Sequence, residues 1–227
     1  MKRLAFCLLL CGLATAVLAA QQAASVDRPP EPNFVFDDDG GKVQIVPADF
    51  SVPGPKKFHG GAVLESAQQV SIFLGSGWGD QQFRSRETNL LDVAANKENT
   101  HLGELQTHNI KTLRPSPQLE DFTNLSNSKV NDLTIQRKVS DLLQKKAIPA
   151  PTPGTVYLIF LAPGIDSTLG AHKAGVDYVA YHNFVNLEAG EIHYVVVPFH
   201  HDAQRHASAA ARAFAETAMN PNGQGWF

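Results

Sequence analysis

Apolar residues fall along this chain in short blocks whose spacing changes from block to block, and each spacing predicts an element. Val70-Ser71-Ile72-Phe73-Leu74, closed by Gly75, and the unbroken run Val156-Tyr157-Leu158-Ile159-Phe160-Leu161 predict strands buried on both faces. From Asp177 to Val185 apolar and polar positions alternate. Glu188-Ala189-Gly190-Glu191 then supplies a turn, and Ile192 to Pro198 returns as a hairpin partner. Helical spacing appears three times. Gly79-Asp80 caps a helix over Gln81 to Ala95 with Phe83, Leu90, Leu91 and Ala94 as its apolar positions. Asn131-Asp132 opens one that runs to about Lys146, with Leu133, Gln136, Val139, Leu142 and Leu143 on one face. Asp202 caps an alanine-rich helix from Ala203 to Met219, which Pro221 and Gly223 end. Residues 96–127 are polar and interrupted by proline, so no regular element is predicted there. Together these blocks predict an α/β or α+β fold, a small mixed sheet with helices packed on it.

The N-terminus follows a different pattern. Met1-Lys2-Arg3 precedes the apolar run Leu4 to Leu18 and an alanine-rich close, the layout of a signal peptide over residues 1–20. The run is too short for a membrane span. Leu8-Leu9-Leu10-Cys11 suggests a lipidation box, but Leu10 is a poor residue before a lipidated cysteine, so ordinary cleavage is expected. A secreted or periplasmic protein follows. Residues 21–57 read as a proline-rich extended leader with one hairpin, Phe34 to Val46, around a solvated Asp37-Asp38-Asp39-Gly40-Gly41 turn. A single globular domain is expected over residues 58–227.

Composition narrows the partners. Cys7 and Cys11, the two cysteines of the chain, lie inside the expected signal peptide, so the mature chain is read as having no disulfide. Loss of Lys2 and Arg3 moves the formal charge from −3 to −5, with 17 basic residues against 22 acidic. Such a balance gives no footprint for nucleic acid, and an extracellular or envelope partner is the expectation.

The candidate chemistry sits on and near the last helix. A zinc hydrolase needs three protein ligands, an open position for water and a base to take its proton. Arg212 and Glu216 are four residues apart and share one helix face, so an ion pair is predicted. Arginine has no lone pair to give a metal. Arg212, Glu216 and His182 are therefore the candidate binding residues, with no catalytic residue and no cofactor expected. The alternative is a metal-dependent hydrolase holding zinc on His200, Asp202 and His206. Gly75-Ser76-Gly77-Trp78-Gly79 lacks the lysine and spacing of a phosphate loop, and reads as a turn between strand and helix.

Several signatures also occur in one order: His59-Gly60-Gly61, Trp78, Asn131-Asp132-Leu133-Thr134-Ile135-Gln136, Pro149 with Val156 to Gly164, Tyr181-His182, Tyr194 to Pro198, and Glu216 with Asn220-Pro221 and Gly225-Trp226-Phe227. In this order the chain resembles the phosphate-induced protein 1 or EXORDIUM-like family, secreted proteins of plants with bacterial and fungal relatives. The resemblance runs from about residue 58 to residue 227. It implies a last helix of metallopeptidase type, carrying Ser-His-Glu-Leu-Ala-Glu before an Asp-Pro and a Gly-Trp turn. Arg212 stands in the place of that histidine, Ala213 in the place of the first glutamate and Asn220 in the place of the aspartate, while Glu216, Pro221 and Gly225-Trp226 persist. Family members also continue past the position of Phe227. The implied function is that of a secreted, non-catalytic relative with a degenerate metal-site helix and an extracellular or envelope interaction role.

Overall fold

The computed structural model describes residues 33–51, 56–83, 86, 90, 91, 93, 112–114, 125 and 129–226. In chain order the elements are β1 (Phe34–Phe36), β2 (Lys42–Pro47), β3 (Ser66–Leu74), β4 (Thr112–Arg114), β5 (Lys129–Val130), α1 (Asp132–Gln144), β6 (Thr155–Leu161), β7 (Asp166–Leu169), β8 (His172–Lys173), β9 (Tyr178–Leu187), β10 (Gly190–Val197) and α2 (Ala203–Met219). Seven strands form one sheet in the order β1-β2-β9-β10-β6-β3-β4, and β5, β7 and β8 form a second. β10, β6, β3 and β4 run parallel, whereas β9, β2 and β1 add on by antiparallel pairing. The fold is mixed α/β.

The unbroken apolarity of β6 has a direct structural cause: the strand is covered on both faces. Its side chains alternate, so Val156, Leu158 and Phe160 enter one core and Tyr157, Ile159 and Leu161 the other. The first core is closed by α2, through Ala209, Ala210, Ala213, Phe214, Ala218 and Met219. Alanine suits this helix twice over, since it favours helical backbone and lets the helix axis approach the sheet closely. The second core is closed by α1 through Ile135, Val139 and Leu142. Caps fix both helix starts: Asn131 accepts from the Thr134 amide, and Asp202 accepts from the amides of Gln204 and Arg205.

Three sequence expectations change. The hairpin expected over Phe34 to Val46 forms as β1 and β2, but it does not belong to an extended leader, because β2 is a buried member of the main sheet. The one proline of that stretch, Pro47, ends β2 at the β2–β9 irregularity, where a missing amide costs little. Gln81–Phe83 is a short 3-10 turn, and most of the helix expected to Ala95 lies outside the described residues. Within the stretch left without structure, Thr112–Arg114 forms edge strand β4. By contrast α1 ends at Gln144 with Lys145 as its C-cap, in keeping with the expected end at about Lys146. The expected signal peptide lies outside the described residues.

The strand order reverses between β3 and β6, because the chain steps outward to β4 before returning to β6 and β10. Open parallel sheets usually place ligands in the crevice at such a reversal. Here it is filled. A Cβ on Gly75 (φ 106°) would meet Ile165 Cδ1 at 2.5 Å and Ala162 Cβ at 2.7 Å, and one on Gly77 would meet Pro163 Cδ at 3.1 Å. Trp78 is fully buried beside them and donates its indole N–H to the Phe160 carbonyl at 3.0 Å. The glycines after β3 serve this close packing.

Candidate functional site

Arg212 and Glu216 meet as the helix spacing requires. Arg212 Nε lies 2.9 Å from Glu216 Oε1, and both side chains are buried, at 5% and 7% exposure. The remaining guanidinium nitrogens are also engaged: Nη1 donates to the Phe50 carbonyl at 2.9 Å and Nη2 to the Ser51 carbonyl at 2.8 Å. About two turns earlier on α2, Arg205 donates to the Ala48 carbonyl and lies over the Phe50 ring. Two arginines thus strap the segment after β2 to the last helix, across a bend where Phe50 adopts φ 55°. This is a clamp made of the chain's own carbonyls, with Glu216 neutralising the inner arginine. Glu216 Oε2 is left buried without a hydrogen bond.

His200, Asp202 and His206 have separate roles. Asp202 Oδ1 accepts from the Gln204 amide at 2.9 Å and the Arg205 amide at 3.1 Å, and these bonds hold its carboxyl below the usual range. His200 Nδ1 accepts from the Asp202 amide at 3.1 Å. His206 points into an aromatic box. Its ring is parallel to Trp78 at 6.3 Å and meets Phe160 and Phe199 edge-on. Burial, then the charge of Arg86, pushes its pKa down to about 3. Among the described residues no three His, Cys, Asp or Glu side chains gather as a metal-ligand group. With Asp202 acting as a cap, Asp202→Ala is expected to lower the midpoint of a urea titration while leaving metal content unchanged.

A polar concavity lies elsewhere, where β2 and β9 part. Gln44 pairs with His182, but Val43 and Lys42 pair with β1 alone, and β9 runs on through Asn183 and Phe184. The gap opens a cleft of about 490 Å³. α1 contributes Asp132 and Gln136 to it, β9 contributes His182 and Asn183, and the segment after α2 contributes Asn222 and Gln224. That segment is fixed by Asn220, whose Nδ2 donates to Gln44 Oε1 at 2.7 Å and whose Oδ1 accepts from the Gly225 amide at 2.6 Å. Gly225 has a plain steric role in this turn. A Cβ on Gly225 would lie 2.2 Å from the Met219 carbonyl oxygen.

Asp132 is the chemical centre of one cleft wall. Tyr194 donates its hydroxyl to Oδ1 at 2.9 Å and Oδ2 at 2.8 Å, and Asn183 and Gln136 donate to Oδ2 at 2.9 and 2.8 Å. Burial raises the Asp132 pKa, and these donors act against the rise. Asp37, in the turn before β2, is raised to about 6 by burial and by its neighbour Asp39. Next to Asn183 on β9, and so on the other face of the strand, His182 is 3% exposed and neither ring nitrogen has a hydrogen-bond partner. Burial pushes its pKa down to about 3, helped by the charge of Lys56.

Of the three candidate binding residues, the structure joins Arg212 to Glu216 and places His182 at the cleft. Asp132, Gln136, Asn183 and Tyr194 were not anticipated as a group. Asp132 and Gln136 share a helix face by spacing, but their pairing with two strands needs the tertiary fold. No protein-family model, curated protein or solved structure matches the chain.

Proposed function

We propose that this chain is an exported, non-catalytic binding protein related to the EXORDIUM-like group, in which the last helix has exchanged metal chemistry for an internal clamp. The observation that carries this reading is the engagement of Arg212 by Glu216 and by the Phe50 and Ser51 carbonyls. A buried guanidinium in that position repels a divalent cation and occupies the one carboxylate the motif retains. Its role is then to hold the fold that displays a surface to an extracellular or envelope partner.

Metal analysis of the purified chain tests this. The expected zinc content is far below one ion per chain, both for the unaltered protein and for His206→Ala. Stoichiometric zinc that is lost in His206→Ala would establish a displaced metal site and overturn the reading.

A further inference from the structure

The cleft between β2 and β9 is built from groups of a distinctive kind. Charge there is largely spent internally: Asp132 is held by Tyr194, Asn183 and Gln136, Lys42 sits 3.8 Å over the Phe34 ring, and Asp39 accepts from the Gly41 amide. What remains toward the opening is mainly amide and imidazole. The amides are those of Asn222 and Gln224, since the amide groups of Gln136 and Asn183 are held by Asp132, and the imidazole is that of His182, held neutral. Asn222 Oδ1 is a buried acceptor without a partner, as are both nitrogens of His182. Buried polar groups are normally satisfied, so unpaired ones on residues that line a cleft indicate a ligand that completes them.

The chemistry of these groups selects the ligand. An anion would need cations, but Lys42 shares the cleft with two carboxylates. A divalent metal would need free carboxylate oxygens, and Asp132 already carries three donors. A neutral ligand rich in hydroxyls meets neither objection, since each hydroxyl both donates and accepts and side-chain amides bind such groups in pairs. Phe34 and Phe184 provide carbon surface for the C–H face of a sugar ring. The volume lies within the ordinary range for small-ligand clefts.

We infer that this cleft binds a neutral saccharide, with His182, Asn222 and Gln224 contacting its hydroxyls. The inference deepens the non-catalytic binding role proposed above and rests on it.

The test is calorimetric titration of the full chain with glucose, galactose, N-acetylglucosamine, cellobiose and chitobiose, with inorganic phosphate and Ca²⁺ as separate probes. At least one saccharide should bind at millimolar concentration or below. The affinity should fall about tenfold in His182→Leu and, independently, several-fold in Gln224→Ala, each loss corresponding to a removed hydrogen bond. Gln224 is exposed, so Gln224→Ala leaves folding intact and keeps the test decisive if His182→Leu unfolds. Absence of saccharide binding, binding unchanged in both variants, or competition by phosphate or Ca²⁺ would overturn the inference. Zinc content distinguishes this outcome from failure of the broader reading: a metal-free chain that ignores saccharides refutes the ligand and leaves the non-catalytic role standing.

Discussion

Replacing Arg212 by alanine is expected to cost about 3–5 kcal/mol of folding stability, read as a lower urea midpoint at unchanged slope. The size follows from what the guanidinium leaves behind. Glu216 would remain buried with a charge and no counter-ion, and the Phe50 and Ser51 carbonyls would each lose a donor. Arg212→Lys should recover only part of the loss, because an ammonium cannot present three donors in a planar fork to a carboxylate and two carbonyls. Loss below about 1 kcal/mol in Arg212→Ala would mean that the strap is solvated and contributes little.

Acid is expected to unfold the chain largely through two imidazoles. His182 and His206 are buried, with folded pKa values lowered to about 3, against about 6.5 for an unfolded histidine. The folded state therefore favours the neutral rings. Their contribution is complete above about pH 6.5 and is lost as pH falls toward 3, at about 1.4 kcal/mol per pH unit for each. Between pH 7 and pH 5 each removes about 2 kcal/mol. His193, lowered by burial against the charge of Glu191, acts in the same direction. Asp37 and Asp132 act the opposite way, because their raised folded pKa values favour protonation in the fold as pH falls. The comparison of slopes isolates one imidazole. His206→Phe, which places another ring in the aromatic box, should lose about 2 kcal/mol less than the unaltered chain between pH 7 and pH 5. Parallel stability–pH curves would show that His206 is not the group that titrates.

Legibility in the sequence depended on how local the cause was. β6, the hairpin of β9 and β10, and α2 with its Asp202 cap were readable because runs, alternation and capping operate within a few residues. The Arg212–Glu216 pair was readable for the same reason. Its other partners were not, since Phe50 and Ser51 lie more than 160 positions away and offer only backbone carbonyls, which carry no side-chain signature. The β1–β2 hairpin was readable around its Gly pair, but neighbouring prolines obscured the entry of β2 into the main sheet, although its six residues are mostly buried. Helical spacing on α1 placed Val139 and Leu142 correctly on the buried face but added Leu133 and Gln136, whereas Asp132 and Ile135 complete that face. A buried aspartate runs against every composition rule and becomes intelligible only when Tyr194 and Asn183 arrive from the hairpin. The cleft depended on a further non-local event, the parting of β2 from β9.

A double-mutant cycle on Arg212 and Glu216 tests the clamp most directly. Arg212→Met, Glu216→Leu and the double variant would be compared by urea unfolding at pH 7. A buried, mutually neutralising pair predicts strong coupling: the double variant should be more stable than the sum of the single losses implies by about 2 kcal/mol or more. Single losses that add to within about 0.5 kcal/mol would contradict it, and would return Glu216 to the role of a carboxylate awaiting some other cation.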